Sequence, residues 1–181
     1  MASITLRQLF SDHQEKKKRV IEARTKIAEL VGETDVIEIG CGFGQNAEYI
    51  RGNYPGIDID HGAIRIAAQR HPEKIFLCAE IESIANLFPK YQTVLFSAVL
   101  HEVSQFPLLL NTVMNAGIPR IFICDYDPEL KGWLKIWMNI FEKDAKNWWQ
   151  SKPATYFLDS EWSVQKGNIT KALVWWDFRK E

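Results

Sequence analysis

The sequence predicts an α/β protein with a doubly wound, mostly parallel sheet that ends in an antiparallel hairpin. Between residues 34 and 128, short apolar segments alternate with segments of helical periodicity, as they do in chains of βα units. The apolar segments are mostly continuous runs and not alternating ones, which is typical of parallel strands that helices bury on both faces. Near the C terminus, Lys166-Gly167-Asn168 separates two strand-like stretches and suits a hairpin loop.

Each element of the parallel part follows from a local pattern. The first helix is expected from Ser11 to Val31, because Ser11 and Gln14 form a capping box and Gly32 follows the last apolar position. The parallel strands are expected at five apolar runs, which are residues 36–39, 56–60, 75–78, 93–97 and 120–124. The intervening helices are expected at residues 45–53, 62–71, 81–87 and 106–115, the last of which opens on Pro107.

The C-terminal part has a different composition, because all seven tryptophans lie in the last 49 residues. An amphipathic helix is expected over residues 132–147, with Trp133 and Trp137 on one face, followed by hairpin strands at 155–165 and 169–179. Trp175 and Trp176 are consecutive in a strand, so their side chains should point to opposite faces of the sheet. Packing is the expected use of these rings, and a dimer surface or an aromatic cage for a cation is the alternative.

Composition limits the classes of function. The 181 residues include 22 basic and 23 acidic side chains, for a net charge of −1, which disfavours a protein that binds nucleic acid by broad phosphate neutralisation. No run approaches the ~18–20 apolar residues of a membrane span, and the first residues lack the pattern of a secretory signal. Three cysteines without a CxxC pair, and histidines without ligand spacing, predict a reduced, cytoplasmic protein with no metal site.

The segment VIEIGCGFG, residues 36–44, is the most informative part of the sequence. It leads from an expected strand into three glycines at alternating positions, Gly40, Gly42 and Gly44. Such a loop lies at the carboxyl edge of an open α/β sheet, where ligands bind, although glycines also make plain tight turns. A dinucleotide site would have the spacing GxGxxG, whereas the spacing here is GxGxG. Glu38 would repel a pyrophosphate and attract an ammonium, so a ligand with a cationic amine is favoured over a nicotinamide cofactor.

Two further acids follow neighbouring strands. Asp58 lies in the second strand, GIDID, where an acid reaches ribose hydroxyls in doubly wound folds. A helix cap is the other use of such an acid, but Asp60 is better placed for that role. Glu80 follows the third strand, where its carboxylate could accept a hydrogen bond from an exocyclic amine or lie in a solvent-exposed loop.

With these segments in place, the sequence resembles the class I S-adenosylmethionine-dependent methyltransferases over roughly residues 30–128. The resemblance rests on VIEIGCGFG (36–44), GIDID (56–60), FLCAEIESI (76–84) and TVLFSAVLHEV (93–103). It implies a Rossmann-like, seven-stranded sheet whose last hairpin is antiparallel, in agreement with the hairpin expected above. It also implies a single domain, with an N-terminal helical segment at 1–33, a cofactor-binding core at 34–128, and a helix and terminal hairpin at 129–181.

The resemblance implies a role for each residue of the cofactor site. Glu38 and the backbone of Gly40, Cys41, Gly42 and Gly44 would hold the methionine part of S-adenosylmethionine. Asp58 would bind the ribose diol, and Ile59 would pack on the adenine. Glu80 and the amide of Ile81 would face the adenine edge, and Ser97 would lie near the methionine end. The sequence departs from the family in its short connection, because only 13 residues separate Gly44 from Asp58. The helix between them, or its return loop, should therefore be truncated.

Candidates for the acceptor side follow the fourth and fifth strands. His101 is the one group there that titrates near neutral pH, and it can act as a general base or as a positioning residue. Tyr126 could line the acceptor pocket or serve packing, and Asp125 and Asp127 flank it. Glu102 is expected to face solvent. Methyl transfer from a sulfonium is an in-line displacement in which alignment supplies much of the acceleration.

The acceptor itself is not identified by the sequence. Residues 97–100 read Ser-Ala-Val-Leu and not the Asn-Pro-Pro-Tyr of family members that methylate exocyclic amino groups of bases or glutamine. A small-molecule acceptor is therefore expected, with a homodimer as a further expectation. The alternative is a non-catalytic domain that binds S-adenosylmethionine or S-adenosylhomocysteine and acts as a sensor or partner subunit.

Overall fold

A computed structural model of the chain describes residues 17–132, 136, 148, 156–157 and 161–181. These residues form one seven-stranded sheet with the strand order β3-β2-β1-β4-β5-β7-β6. The strands are β1 Val36–Ile39, β2 Pro55–Asp58, β3 Ile75–Cys78, β4 Thr93–Ser97, β5 Arg120–Tyr126, β6 Trp162–Asn168 and β7 Leu173–Lys180. Strands β1 to β5 are parallel, while β7 pairs antiparallel with both β5 and β6. The predicted doubly wound sheet with a C-terminal antiparallel hairpin is confirmed.

One helix precedes β1, and three more lie in the connections between β2 and β5. Their bounds are α1 Lys18–Val31, α2 His61–Arg70, α3 Ile81–Ile84 and α4 Phe106–Asn115, with 3₁₀ turns at Ala85–Lys90 and Leu100–Glu102. Asp60 caps α2, since its Oδ1 accepts hydrogen bonds from the amides of Gly62 and Ala63 at 2.8 and 3.1 Å. The expected cap is confirmed, and it leaves Asp58 available for another role.

Two expected helices differ from the structure. Helix α1 begins at Lys18 and not at Ser11, because Lys17 has an extended backbone with φ −74° and ψ 128°. Residues 45–53 form no regular helix. The amides of Gly44, Ala47 and Tyr49 donate to carbonyls three residues earlier, so this part of the chain is a series of turns. The connection expected to be truncated is indeed too short to complete a helix and return to β2.

The sheet is covered by apolar clusters on its two faces. One cluster joins α3 and α4 to the sheet through residues such as Phe88, Leu110 and Trp176, and the other joins α1 through Ile27 and Phe122. The ring of Trp175 stacks on Phe122 with centroids 5.9 Å apart, whereas the ring of Trp176 meets the edge of Trp148. The two consecutive tryptophans therefore lie on opposite faces, as predicted.

The turn of the hairpin lies three residues later than expected. Residues 166–168 belong to β6, and the connection runs over residues 169–172. Thr170 holds this turn, because its Oγ1 accepts hydrogen bonds from the amides of Ala172 and Leu173 at 3.1 Å. Gly167 pairs with Trp175, and a Cβ at Gly167 would lie 2.7 Å from the indole ring. The glycine thus serves a close cross-strand contact and not the turn.

Arg120 at the start of β5 ties the hairpin to α1. Its guanidinium donates to both carboxylate oxygens of the buried Asp177 at 2.7 and 2.9 Å, and to the carbonyls of Leu30 and Val31 at the end of α1. A cation is favoured at a helix C terminus. Burial raises the pKa of Asp177, but the hydrogen bonds and charges of Arg120 and Arg179 outweigh it, so the pKa lies below its ordinary value.

Several expectations fall on residues that the structure does not describe. These are the capping box of Ser11 and Gln14, the helix over residues 132–147, and the shared face of Trp133 and Trp137. Among the described helices, none has the length and apolar character needed to cross a bilayer. Within the described ranges, histidine, cysteine and acidic side chains form no group of three or more that could hold a metal ion.

Candidate functional site

The structure brings the predicted site residues to one edge of the sheet. Strands β1, β2, β4 and β5 are parallel and adjacent, so the segments that follow them meet at their carboxyl ends. This edge is where open α/β sheets bind ligands. The glycine loop follows β1, and Asp58 ends β2 with Ile59 directly after it. Ser97 ends β4 with His101 shortly after it, and Tyr126 ends β5.

The three glycines of the loop all have positive φ angles. These are 73° at Gly40, 54° at Gly42 and 74° at Gly44, a region that favours glycine. Packing also requires two of them. A Cβ at Gly40 would overlap the side chain of Val99, and one at Gly44 would lie 3.0 Å from the ring of Phe76. The loop is therefore a tight turn that also has no side chain at three of its five positions, so the two interpretations of the glycines are compatible.

Cys41 contributes to the loop through its main chain. The amides of Gly40 and Cys41 both donate to the carbonyl of Ile57 at 2.8 and 3.0 Å, which joins the loop to β2. Burial raises the pKa of the Cys41 thiol well above its ordinary range. Since the thiol stays protonated and only 3% of the residue is exposed, it offers no nucleophile to a ligand.

Glu38 is buried beneath the glycine loop, with 1% of the residue exposed. Asn46 donates from Nδ2 to its Oε1 at 2.6 Å, and Tyr54 donates its hydroxyl to Oε2. Burial raises the pKa of Glu38 to about 7, even though both hydrogen bonds lower it. The carboxylate thus fastens the turn segment and the start of β2 to β1. Asn46 and Tyr54 were not singled out in the sequence, because nothing local marks them as partners of Glu38.

Asp58 links the end of β2 to the glycine loop. Its Oδ2 accepts a hydrogen bond from the amide of Gly42 at 2.8 Å, and its Oδ1 accepts one from the amide of Asp60 at 2.9 Å. The residue is half-buried. Its carboxylate is therefore held at the rim of the loop, where one side still reaches solvent and a ligand.

The residues expected around an adenine lie directly after β2 and at the start of α3. Ile59 follows Asp58 and is 76% exposed, which is unusual for a large apolar side chain. Glu80 is exposed and precedes α3, and Ile81 is buried as the first residue of that helix. The amide of Ala79 donates to the carbonyl of Asp58 at 3.1 Å, which holds this segment beside β2.

The opposite side of the edge is formed by the segments after β4 and β5. Ser97 is half-buried at the end of β4, and Ala98 has a φ of 54°, which is uncommon for a residue with a side chain. His101 is 4% exposed, and its Nδ1 lies 2.7 Å from Oδ1 of the fully buried Asp125. The ring of Tyr126 meets the ring of His101 edge to face at 4.9 Å. Glu102 is exposed, as predicted.

Comparison with known families and structures identifies this arrangement. Residues 37–120 match the family model of a methyltransferase domain. The fold is similar to that of the plantazolicin methyltransferase BpumL in complex with S-adenosylhomocysteine, with a TM-score of 0.69 and 16% identity over 97% of this chain and 90% of that chain. Comparison with curated proteins gives no significant match.

Other solved structures show the same fold. Magnesium protoporphyrin IX methyltransferase from Synechocystis PCC 6803, with bound S-adenosylhomocysteine, has a TM-score of 0.63 and 15% identity over 100% of this chain and 90% of that chain. A methyltransferase dependent on S-adenosylmethionine (SAM) from Aquifex aeolicus has a TM-score of 0.63 and 14% identity over 92% of this chain and 95% of that chain.

The sheet and the glycine loop form a Rossmann-like fold. Over residues 37–120 the chain is similar to a methyltransferase domain, and its fold is similar to that of solved methyltransferases. Several of these solved structures contain S-adenosylhomocysteine or S-adenosylmethionine. The residues of the site suit such a ligand, because an exposed apolar side chain and a half-buried carboxylate flank a loop with no side chains at its three glycines.

Proposed function

We propose that this chain transfers the methyl group of S-adenosylmethionine to a small-molecule acceptor. The observation that carries the proposal is the bond from the Gly42 amide to Asp58, which fixes a carboxylate beside a glycine loop at the carboxyl edge. A ligand with a ribose diol and a cationic amine suits this pair of features. When bound, the cofactor supplies an activated sulfonium methyl group.

Each side of the site has a proposed part in binding the cofactor. The backbone of the glycine loop faces the methionine part, and Ser97 lies at that end. Glu38 acts on the ammonium group through its charge from within the protein, since its oxygens already accept from Asn46 and Tyr54. A carboxylate in a poorly solvated place interacts more strongly with a cation than one in water does.

The nucleoside end of the cofactor has its own residues. Asp58 accepts hydrogen bonds from the ribose diol on the side away from Gly42. The exposed face of Ile59 covers the adenine, whose burial would remove this apolar side chain from water. Glu80 and the amide of Ile81 bond the adenine edge.

The acceptor side comprises His101, Asp125 and Tyr126 after β4 and β5. The similar solved structures are methyltransferases named for different acceptors, plantazolicin in one case and magnesium protoporphyrin IX in another. A small molecule is the acceptor class we propose, with His101 positioning it and Tyr126 lining its pocket. The net charge of −1 disfavours nucleic acid. The homodimer and the cytoplasmic location stay predictions.

A labelling experiment separates an enzyme from a non-catalytic binding domain. The wild-type chain is incubated with S-adenosylmethionine labelled in its methyl group and with a small-metabolite extract. We expect label in a small-molecule product, together with an equal amount of S-adenosylhomocysteine, and less transfer by Asp58→Ala when the cofactor concentration is below saturation. Binding of S-adenosylhomocysteine without any transfer, across extracts from several sources, would support the non-catalytic alternative and contradict the proposal.

A further inference from the structure

We infer that Asp125 is a positioning residue that restricts proton exchange at His101 to its Nε2 atom. The inference deepens the proposed function, because it assigns the acceptor side a fixed hydrogen-bonding direction. Asp125 lies in β5, is fully buried, and accepts from groups on two different segments of the chain. It would not touch the cofactor or the acceptor itself.

Both carboxylate oxygens of Asp125 make hydrogen-bond contacts with the surrounding chain. Its Oδ1 accepts from the amide of Tyr126 at 2.7 Å and lies 2.7 Å from Nδ1 of His101. Its Oδ2 accepts from the amides of Leu100 and His101 at 2.9 and 3.4 Å. Two contacts fall on each oxygen, so the group fits an ionised carboxylate, which only accepts hydrogen bonds.

The contact with Asp125 determines which nitrogen of the His101 ring carries a proton. Because the carboxylate has no proton to donate, the Nδ1 atom must carry the proton of the 2.7 Å contact. This holds whether the imidazole is neutral or charged, so only Nε2 is left to gain or lose a proton. Among the described residues, Glu102 also places a carboxylate near the ring, with its Oε1 3.9 Å from Nε2. The ring of Tyr126 packs against the imidazole from the end of β5.

The backbone after β4 brings His101 close to Asp125. Ala98 has a positive φ of 54°, and its amide donates to the carbonyl of Cys124 at 2.8 Å. The chain then makes the 3₁₀ turn at Leu100–Glu102, whose first two amides are those that Asp125 binds. A non-glycine residue in this region persists only where its surroundings hold it, and Asp125 provides that restraint.

Replacing Asp125 with asparagine tests the assignment, because an amide has one accepting oxygen and one donating nitrogen. If the amide nitrogen of the asparagine faces the turn, it is a donor placed opposite two donors, the backbone amides of Leu100 and His101, and the hydrogen bonds to the turn are lost. If it faces the imidazole, Nδ1 must become the acceptor and the proton moves to Nε2. Asp125→Asn therefore either changes the tautomer of His101 or releases the turn that holds it.

The measurement is nitrogen NMR of the wild-type chain labelled in its imidazole groups, with His101→Asn used to assign the signals. Once His101 is neutral, we expect a protonated, pyrrole-like Nδ1 and an unprotonated, pyridine-like Nε2. In Asp125→Asn the pattern should be reversed or averaged between the two forms. Asp127→Asn is the control, because Asp127 accepts from the amide of Glu129 and from no histidine in the described residues.

Two results would overturn the assignment. A wild-type His101 protonated at Nε2 when neutral contradicts it without any variant, so the test remains decisive even if Asp125→Asn fails to fold. A folded Asp125→Asn with unchanged His101 signals also contradicts it. Neither NMR measurement needs cofactor or acceptor. Both can therefore be interpreted even if the proposed function is wrong.

Discussion

Replacing Glu38 with glutamine should change the way in which stability depends on pH. Glu38 is buried, and burial raises its pKa from 4.5 to about 7. The folded state therefore holds the proton of Glu38 to higher pH than the unfolded state does. Stability falls with rising pH wherever the folded state binds more protons, which for Glu38 is the range from about 4.5 to about 7.

The expected magnitude follows from these two pKa values. Between about pH 5 and about pH 8, ionisation of Glu38 alone should lower the free energy of unfolding by about 2–3 kcal/mol. Glutamine has no such ionisation, while its oxygen can accept from Asn46 and its nitrogen can donate to the hydroxyl of Tyr54. The stability of Glu38→Gln relative to wild type should thus be greater at the higher pH than at the lower pH by about 2–3 kcal/mol.

Urea denaturation followed by tryptophan fluorescence at both pH values measures this difference. Other titrating groups are common to both chains, so their effects cancel when the variant is compared with wild type. Glu48→Gln is the matched control, because Glu48 is exposed in the neighbouring turn segment, and its effect should be the same at both pH values. If Glu38→Gln shifts the free energy of unfolding by the same amount at both pH values, within about 0.5 kcal/mol, the pKa of the buried Glu38 is not raised in the folded state.

The remaining predictions concern the hairpin and the glycine loop. Arg120→Ala should lower the free energy of unfolding by about 2–4 kcal/mol, because it leaves the buried Asp177 with only the exposed Arg179, whereas Arg179→Ala should cost less than about 1 kcal/mol. Urea denaturation compares the two variants, and equal losses would contradict the assignment. Asp177 has a lowered pKa, so its contribution to stability should be present above the ordinary pKa and disappear as pH falls through the lowered one. Gly40→Ala should weaken binding of S-adenosylhomocysteine by about 1–3 kcal/mol through the positive φ and the overlap with Val99. In calorimetry Val99→Ala should restore part of that loss, and full affinity of Gly40→Ala alone would show that the loop tolerates a side chain.

The elements that local patterns determine were predictable from the sequence. Strands β1, β4 and β5 are continuous apolar runs, and the structure places them at or within two residues of the expected ends. The glycine loop was recognisable because three alternating glycines after a buried strand have few purely structural uses. The opposite faces of Trp175 and Trp176 follow from the alternation of side chains along any strand.

The parts that depend on distant contacts were not predictable. Gly167 was expected in the hairpin turn because a glycine between polar residues is a turn signal, but its place is set by the ring of Trp175 across the hairpin. Tyr54 gives no local sign that it binds Glu38, since the two meet only when β1 and β2 pair. Asp125 was a candidate for the acceptor side, but its place in the fold emerges only when β5 lies beside β4.

Calorimetric titration with S-adenosylhomocysteine tests the central claim that this carboxyl edge holds the cofactor. We expect one molecule to bind per chain with a dissociation constant of about micromolar order. Asp58→Ala should weaken binding by about 1–3 kcal/mol, which is the cost of unpaired polar groups. Glu29→Ala, an exposed change on α1, should leave the affinity unchanged. An absence of heat with both S-adenosylhomocysteine and S-adenosylmethionine, or equal affinity in Asp58→Ala and wild type, would contradict the account.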